Sequence, residues 1–143
     1  MRTAELAELL VADLNAHAFS QAFTAVRAYL PRYDLGEMAA LHVTVVPAGR
    51  TVQPITRVGL QIDHRLEIAV QQKVAVEDPT ACDPVLHLVE ELADHLCGHR
   101  LAGAPEVSWV KTEHAPYIAP EHLNELRQVT SLLVVTYRSW GEP

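Results

Sequence analysis

Residues 65–74 constrain the fold more than any other part of the chain, because they alternate between polar and apolar side chains. Leu66, Ile68, Val70 and Val74 fall on one side of this pattern. Successive side chains leave a β-strand on opposite faces, so strict alternation is typical of a strand with one buried face. Such a strand needs neighbouring strands and a helix to cover its apolar face. The chain is therefore expected to fold as a sheet with helices on one side.

Two segments have the spacing of amphipathic helices, at residues 3–14 and 81–97. Thr3 is expected to cap the first helix, residues 78–80 form the entry to the second, and Gly98 ends it. The apolar positions recur every three or four residues, as in a helix with one buried face. They are Leu6, Leu9, Leu10 and Leu14 in the first segment, and Val85, Leu88, Val89, Leu92 and Leu96 in the second.

The remaining segments read as strands and loops. Residues 129–138 carry a single charge and have high β propensity, so this strand is expected in the middle of the sheet. We expect further strands at 22–30, 41–46, 58–62 and 106–113, a flexible polar loop at 47–54, a turn or bulge at 63–64, and helical turns at 34–40 and 121–126. The sequence thus predicts one α+β domain over residues 1–143, with a mainly antiparallel sheet and two principal helices on one face.

Composition excludes several classes of protein. Eighteen acidic residues oppose eleven basic ones, for a formal charge of −7, which argues against a nucleic-acid reader. No apolar run reaches the ~20 residues of a membrane span, and Glu5, Glu8 and Asp13 interrupt any signal peptide. We therefore expect a protein that stays in the cytosol where it is made. Cys82 and Cys97 are then expected to be small buried hydrophobic residues.

Eight histidines raise the possibility of a metal site. His95 and His99 are one helical turn apart, with Cys97 between them, and His87 or Asp94 would have to supply a further ligand. However, the helix is expected to end near Gly98, which would separate the two rings. We favour the interpretation that these histidines complement the helix dipole.

No catalytic or cofactor motif is present in the sequence. Glu90, Glu91 and Asp94 lie opposite the leucine stripe of their helix and are expected to form a solvated face rather than an acid–base pair. Neither Ser20 nor Ser131 lies in a Gly-Xaa-Ser-Xaa-Gly motif, and the six glycines form no phosphate-binding loop. The sequence indicates a non-enzymatic protein, with no cofactor, that binds other proteins.

The order of these segments resembles the tail terminator (tail completion) proteins of long-tailed bacteriophages. The likeness depends on order and spacing over nearly the whole chain rather than on one short motif. An amphipathic helix precedes the strand at residues 23–29 and Pro31, and Val45-Val46-Pro47 ends the next strand. Arg57 precedes the strand at 66–73, the helix at 84–96 follows, and the last strand closes on Thr136-Tyr137-Arg138.

This resemblance implies a structural virion protein made in the cytoplasm of a host bacterium. Such proteins form rings, typically hexameric, that bind the last ring of the tail tube protein and present a surface to the head–tail connector protein. DNA would pass through the lumen without specific binding. We expect the loop at 47–54 to be the contact region, and the candidate interface residues are Arg50, Thr51, Arg57, Trp109 and Tyr117.

Three alternatives remain open at the level of sequence. A head–tail joining or minor tail protein has similar size and composition. A small metal-dependent enzyme built on His95, Cys97 and His99 belongs to a different class. The third is an adaptor domain of cellular secretion or contractile machinery related to phage tails.

Overall fold

A computed structural model describes residues 1–29, 40–74, 78 and 80–141. Its sheet has five strands in the order β1-β2-β3-β5-β4, and every neighbouring pair is antiparallel except β1 with β2. The α+β class with a mainly antiparallel sheet is therefore confirmed. The elements in chain order are α1 (Thr3–Ala16), β1 (Ala25–Arg27), β2 (His42–Pro54), β3 (Leu60–Lys73), α2 (Asp83–Leu96), β4 (Ser108–His114), α3 (Pro120–Leu126) and β5 (Gln128–Gly141).

Strand β3 is the centre of the sheet and is longer than its sequence pattern predicted. It pairs with β5 from Leu60 opposite Gly141 to Lys73 opposite Gln128. The turn or bulge considered at residues 63–64 is absent, and the strands predicted at 58–62 and 65–74 are one. Both residues at this point have partners that hold them in the strand. Asp63 accepts two hydrogen bonds from Arg138, and His64 is buried.

The prediction of a flexible loop at residues 47–54 was wrong. Strand β2 runs on to Pro54 and pairs with β3 down to Leu60, with one register shift between Pro47 and Gly49. Proline lacks the N–H that a sheet ladder needs, and a bulge on an edge strand accommodates it. The backbone hydrogen bonds to β3 outweigh the turn preference of the proline and glycine residues in this segment. Sequence patterns alone predict a loop here.

The two principal helices pack on one face of the sheet, as predicted. Their apolar faces join those of β2, β3 and β5 in one core, and in β3 the inward residues are Leu66, Ile68 and Val70. Buried residues contributed by the helices are Leu6, Ala7, Leu10 and Leu14 from α1, and Val85, Leu88, Val89, Leu92 and Leu96 from α2. The prediction that Thr3 caps α1 was wrong, because Arg2 is at the N-cap position and Thr3 is the first helical residue, whose hydroxyl lies 2.9 Å from His64 Nδ1.

The middle of β3 is buried on both faces, not on one as its alternation suggested. Ala69 and Gln71 point away from the helices, yet they are 1% and 4% exposed. Ala69 lies between Thr44 on β2 and Leu132 on β5, and both neighbours have larger side chains. A short side chain between longer ones on adjacent strands is covered by them.

The other elements follow the prediction with shifted ends. β1 is shorter than the predicted strand at 22–30, the helix predicted at 81–97 begins at Asp83, and β5 lies between β3 and β4 as expected. The helical turns predicted at 34–40 lie almost wholly outside the described residues. Among the residues described, no helix combines the length and apolar character needed to cross a membrane.

Candidate functional site

The C-terminal end of α2 brings two of the predicted histidines to a single carboxylate. His95 Nε2 lies 2.7 Å from one oxygen of Asp13, and His99 Nε2 lies 2.6 Å from the other. Asp13 belongs to α1, so the cluster joins two helices that are far apart in sequence. The expectation that the end of the helix would separate the rings was wrong. Gly98 adopts a left-handed φ of +67°, and the chain turns so that the two ring centroids are 4.6 Å apart.

These three side chains are partly buried. The side chains of Asp13, His95 and His99 are 13%, 15% and 34% exposed. Their ligand atoms all lie within 4.8 Å of one another. A carboxylate is only an acceptor, so without a metal ion each imidazole donates its Nε2–H to it. The cluster is therefore a hydrogen-bonded group whose donor atoms converge on one point.

Two further aromatic rings hold His95 in place. His17 follows α1 and stacks on His95, with ring centroids 4.1 Å apart and planes 26° from parallel. Phe19 contacts the same imidazole edge-on, at a centroid distance of 5.5 Å. Packing on two sides limits the orientations open to the His95 ring, so its Nε2 keeps its direction toward Asp13.

Tyr137 on β5 lies beneath this region in the core. Its side chain is fully buried, and its hydroxyl has no hydrogen-bond partner in the part of the chain that the structure describes. Burial raises the pKa of Tyr137, and the negative charge of Asp13 raises it further. The phenol is therefore neutral over the whole physiological range.

The other ligands considered from the sequence lie elsewhere. Cys97 is exposed, and the prediction that it is buried was wrong because it follows the last turn of α2 on the solvent side. His87 is exposed and lies 3.7 Å from Glu91, and Asp94 is also exposed. Cys82 is partly buried and packs against the core. Burial raises the pKa of its thiol, which makes it a poor nucleophile.

Sequence reasoning missed Asp13 as a partner of the histidines. A signal was present, because Asp13 and His17 are four residues apart at the end of α1, as His95 and His99 are at the end of α2, although His17 and His99 lie just beyond the helices. Nothing in the sequence says that the two helix ends face each other, since that depends on how the helices pack on the sheet.

The acidic face of α2 is not uniformly solvated. Glu90 accepts a hydrogen bond from the hydroxyl of Tyr117 at 2.8 Å. Glu91 is partly buried and accepts hydrogen bonds from the backbone and side chain of Ser20. These carboxylates tie the connecting segments to the helix and do not face one another across a cleft, so their arrangement indicates a structural role.

A second candidate site is the far end of the β2–β3 hairpin, which we call the hairpin end: residues 51–62 and the adjoining Trp140. The turn at its tip is closed by Ile55 N–H, which donates to the Gly59 carbonyl at 3.1 Å. Every residue from 51 to 58 is exposed. Three of the candidate interface residues lie on or next to it and are exposed, namely Arg50, Thr51 and Arg57.

The hairpin end carries exposed apolar side chains on both faces of the sheet. Val52 pairs with Ile62 on the side that the helices cover elsewhere, whereas Trp140 pairs with Gln61 and stands on the opposite side. Val52, Ile55, Val58 and Trp140 are 44%, 50%, 72% and 56% exposed. Arg138 and Asp63 form an ion pair at 2.8 Å that ties β5 to β3 at the base of this end.

The other two candidate interface residues are not part of the hairpin end. Trp109 on β4 is partly buried, packs against the core, and donates its indole N–H to Thr112 at 2.9 Å. Tyr117 is exposed beside Glu90 and follows Pro116, whose carbonyl accepts from Leu132 N–H. Leu132 pairs with Ala69, which is seven residues from Ile62, so Tyr117 lies roughly 20 Å from the hairpin end.

The fold and its surfaces define a small α+β protein with an exposed apolar hairpin and a histidine–aspartate cluster between its two main helices. Compared with models of known protein families and with curated proteins, the chain matches none of them.

Proposed function

We propose that the protein is a structural component of a bacteriophage virion. In this role, copies of the chain form a ring at the head-proximal end of the tail tube, stop its polymerisation and offer a surface for head joining. The order of helices and strands that underlies the resemblance supports this proposal. A fold with both main helices on one face of the sheet leaves the long hairpin available for contact with other subunits.

The observation that carries the proposal is the hairpin end. Exposed apolar side chains on both faces of a sheet end are typical of a surface that another protein covers. Val52 and Trp140 stand on opposite faces, so one partner cannot cover both without wrapping around the end. A hairpin seated between neighbouring copies in a ring has both faces covered.

A ring would also cover the edge of β2 that the described residues leave unpaired. Among the described residues, β1 pairs with β2 only from Val43 to Val45, and the strand beyond is paired only with β3. An unpaired edge of this length is a template for association with another chain. In a closed ring each subunit uses one surface to cover a different surface of its neighbour, which satisfies such edges without open-ended growth.

The net charge is compatible with a ring that DNA traverses. A formal charge of −7 per chain repels phosphate, so a lumen lined by acidic side chains would let DNA pass without binding it. Arg50 and Arg57, near the apolar side chains of the hairpin end, supply positive charge for a protein partner. Their place at the rim of an apolar patch is typical of protein–protein interfaces.

Native mass spectrometry of the full chain over a range of concentrations tests this proposal. We expect the wild-type chain to form a ring, expected to be a hexamer, alone or after addition of the tail tube protein encoded by the same genome. A double variant, Ile55→Ser with Val58→Ser, should weaken the assembly by about tenfold or more, because each apolar side chain buried at the centre of an interface contributes about 1 kcal/mol or more.

Gln53→Ser is the matched control. It changes an exposed side chain on the same hairpin without removing apolar surface, and it should assemble as the wild type does. A wild-type chain that stays monomeric both alone and with the tube protein would contradict the proposal. Equal loss of assembly in the control variant would show that the apolar side chains are not what the partner recognises.

A further inference from the structure

We propose that Asp13, His95 and His99 form a binding site for one divalent transition-metal ion of the zinc type, which links α1 to the end of α2. The site differs from the one considered from the sequence, since its third ligand comes from a different helix and Cys97 takes no part. It does not depend on the proposed role in a phage tail.

The geometry needs little change to accept a metal ion. Zinc lies about 2.0 to 2.2 Å from imidazole nitrogen and carboxylate oxygen, so the ligand atoms of a tetrahedral site are about 3.3 Å apart. Here the nitrogen–oxygen distances are 2.6 and 2.7 Å, and all the ligand atoms lie within 4.8 Å of one another. Movements of less than about 1 Å per ligand would bring each to its place.

The donor set selects the class of metal. Two imidazole nitrogens with one carboxylate oxygen suit Zn²⁺ and its neighbours among the later first-row metals, whereas Mg²⁺ and Ca²⁺ prefer oxygen ligands throughout. Three protein ligands leave a fourth position of the tetrahedron for water. The site is accordingly a His₂Asp centre with one solvent ligand.

The surroundings orient the ligands before any metal binds. His17 and Phe19 pack on two sides of the His95 ring. The hydrogen bonds to Asp13 keep the Nε2 atoms of both imidazoles directed toward this carboxylate. Side chains that are already oriented lose less conformational entropy when they coordinate the ion, so the ion binds more tightly. His99 is the most exposed of the three at 34%, which provides a path by which an ion enters from solvent.

Metal binding replaces two hydrogen bonds by coordination. In the metal-free state each Nε2–H is donated to a carboxylate oxygen of Asp13. When the ion binds, the Nε2 lone pair of each imidazole binds the metal and the ring is the neutral tautomer protonated at Nδ1. A ring that was already neutral therefore moves its proton from Nε2 to Nδ1, whereas a doubly protonated ring releases one proton to solvent. The ion thus replaces the hydrogen-bonded link between α1 and the end of α2 with coordination bonds to the same three side chains.

Titration of the chelator-treated full chain with Zn²⁺, in competition with a chromophoric chelator, measures the affinity. We expect one Zn²⁺ per chain and a rise in Tm of about 5 to 10 °C when the free metal concentration is about a hundred times the Kd. Asp13→Asn and His99→Ala should each weaken binding by about a hundredfold or more, because each removes one of three ligands. Co²⁺ in place of Zn²⁺ should show the visible absorption of a four-coordinate ion in the wild-type chain and not in Asp13→Asn or His99→Ala.

His87→Ala is the matched control, because it removes an exposed histidine of the same helix and should leave the affinity unchanged. Circular dichroism checks that each variant is folded, and Asp13→Asn keeps the size of the side chain so that packing is preserved. Absence of stoichiometric zinc at micromolar concentrations would overturn the proposal. So would a folded Asp13→Asn variant that binds zinc as the wild type does, or a control that loses binding equally.

Discussion

At the scale of single residues, the most informative side chain is His64, a buried imidazole on the helix-covered face of β3. Its Nδ1 lies 2.9 Å from the hydroxyl of Thr3, and its Nε2 lies 2.9 Å from the hydroxyl of Ser139. Both ring nitrogens therefore have partners, which allows a polar ring to be fully buried. The ring joins the start of α1 to the last strand of the sheet.

His64 should make stability depend on pH. Burial lowers its pKa below the ordinary 6.5, and Arg50 lowers it further. Between pH 6.5 and the lower native pKa, the unfolded chain binds a proton that the folded chain does not, so stability rises with pH in this window and falls on acidification. Denaturant unfolding at several pH values gives the slope of the free energy of unfolding against pH, which is compared between the wild type and His64→Gln.

We expect stability to change less steeply with pH just below the ordinary histidine pKa of about 6.5 in His64→Gln than in the wild type. The slope should not vanish, because burial also lowers the pKa of His114. Gln53→Ser replaces an exposed side chain that has no titratable group and should keep the wild-type slope. An unchanged slope in His64→Gln would mean that other groups account for the acid dependence.

At the scale of elements, helices were easier to predict than strands. The stripe on α2 appears in the sequence at helical spacing, and each of its residues is buried in the structure. This apolar stripe can be predicted because it depends only on residues a few positions apart in the same helix. By contrast, β2 beyond Pro47 contains proline, glycine and polar residues, and it is a strand only because β3 offers a ladder beside it.

Leu92 tests how much the buried face of α2 stabilises the fold. The side chain is fully buried in the core that α2 shares with the sheet. Leu92→Ala should lower the free energy of unfolding by about 2 to 5 kcal/mol, through lost transfer energy and the cavity left behind. Asp94→Ala on the exposed side of the same helix should change it by less than about 0.5 kcal/mol. Equal effects of the two variants, measured by denaturant unfolding, would contradict this account of the core.

At the scale of the whole molecule, the order of strands makes β3 and β5 the interior of the sheet. Strand β3 has a neighbour on both sides over most of its length and β5 has one on both sides from Leu133 to Arg138, whereas β1 pairs over only three residues at one edge. Backbone hydrogen bonds in such interior strands open only in large unfolding events, and those of short edges open locally. The folded state should therefore have a graded stability from the sheet centre to the hairpin end.

Native-state hydrogen exchange should show this gradient. We expect the slowest amides near Ile68 and Leu133, which face each other across β3 and β5, and the fastest exchange among the described strands in β1 and at residues 51–58. The exchange rates of these two groups of amides should differ by several orders of magnitude, since the free energy of opening ranges from near zero to the free energy of global unfolding. Equal protection of the hairpin end and the sheet centre in the monomer would contradict this picture.

The sequence by itself determined the α+β class, the two main helices and the face that each buries. It also placed the last strand within the sheet. These properties follow from periodicity and propensity, which act between residues a few positions apart. The α2 stripe and the inward row of β3 are the clearest examples.

Only the tertiary structure decided that β2 continues through residues 47–54, that β3 runs without a break at His64, and that Asp13 meets His95 and His99. Each of these features depends on contacts between residues far apart in sequence. A β ladder can override local turn preference because it supplies hydrogen bonds that the segment cannot make alone. Likewise, the side of α1 that faces α2 is set by how both helices pack on the sheet, which neither helix encodes separately.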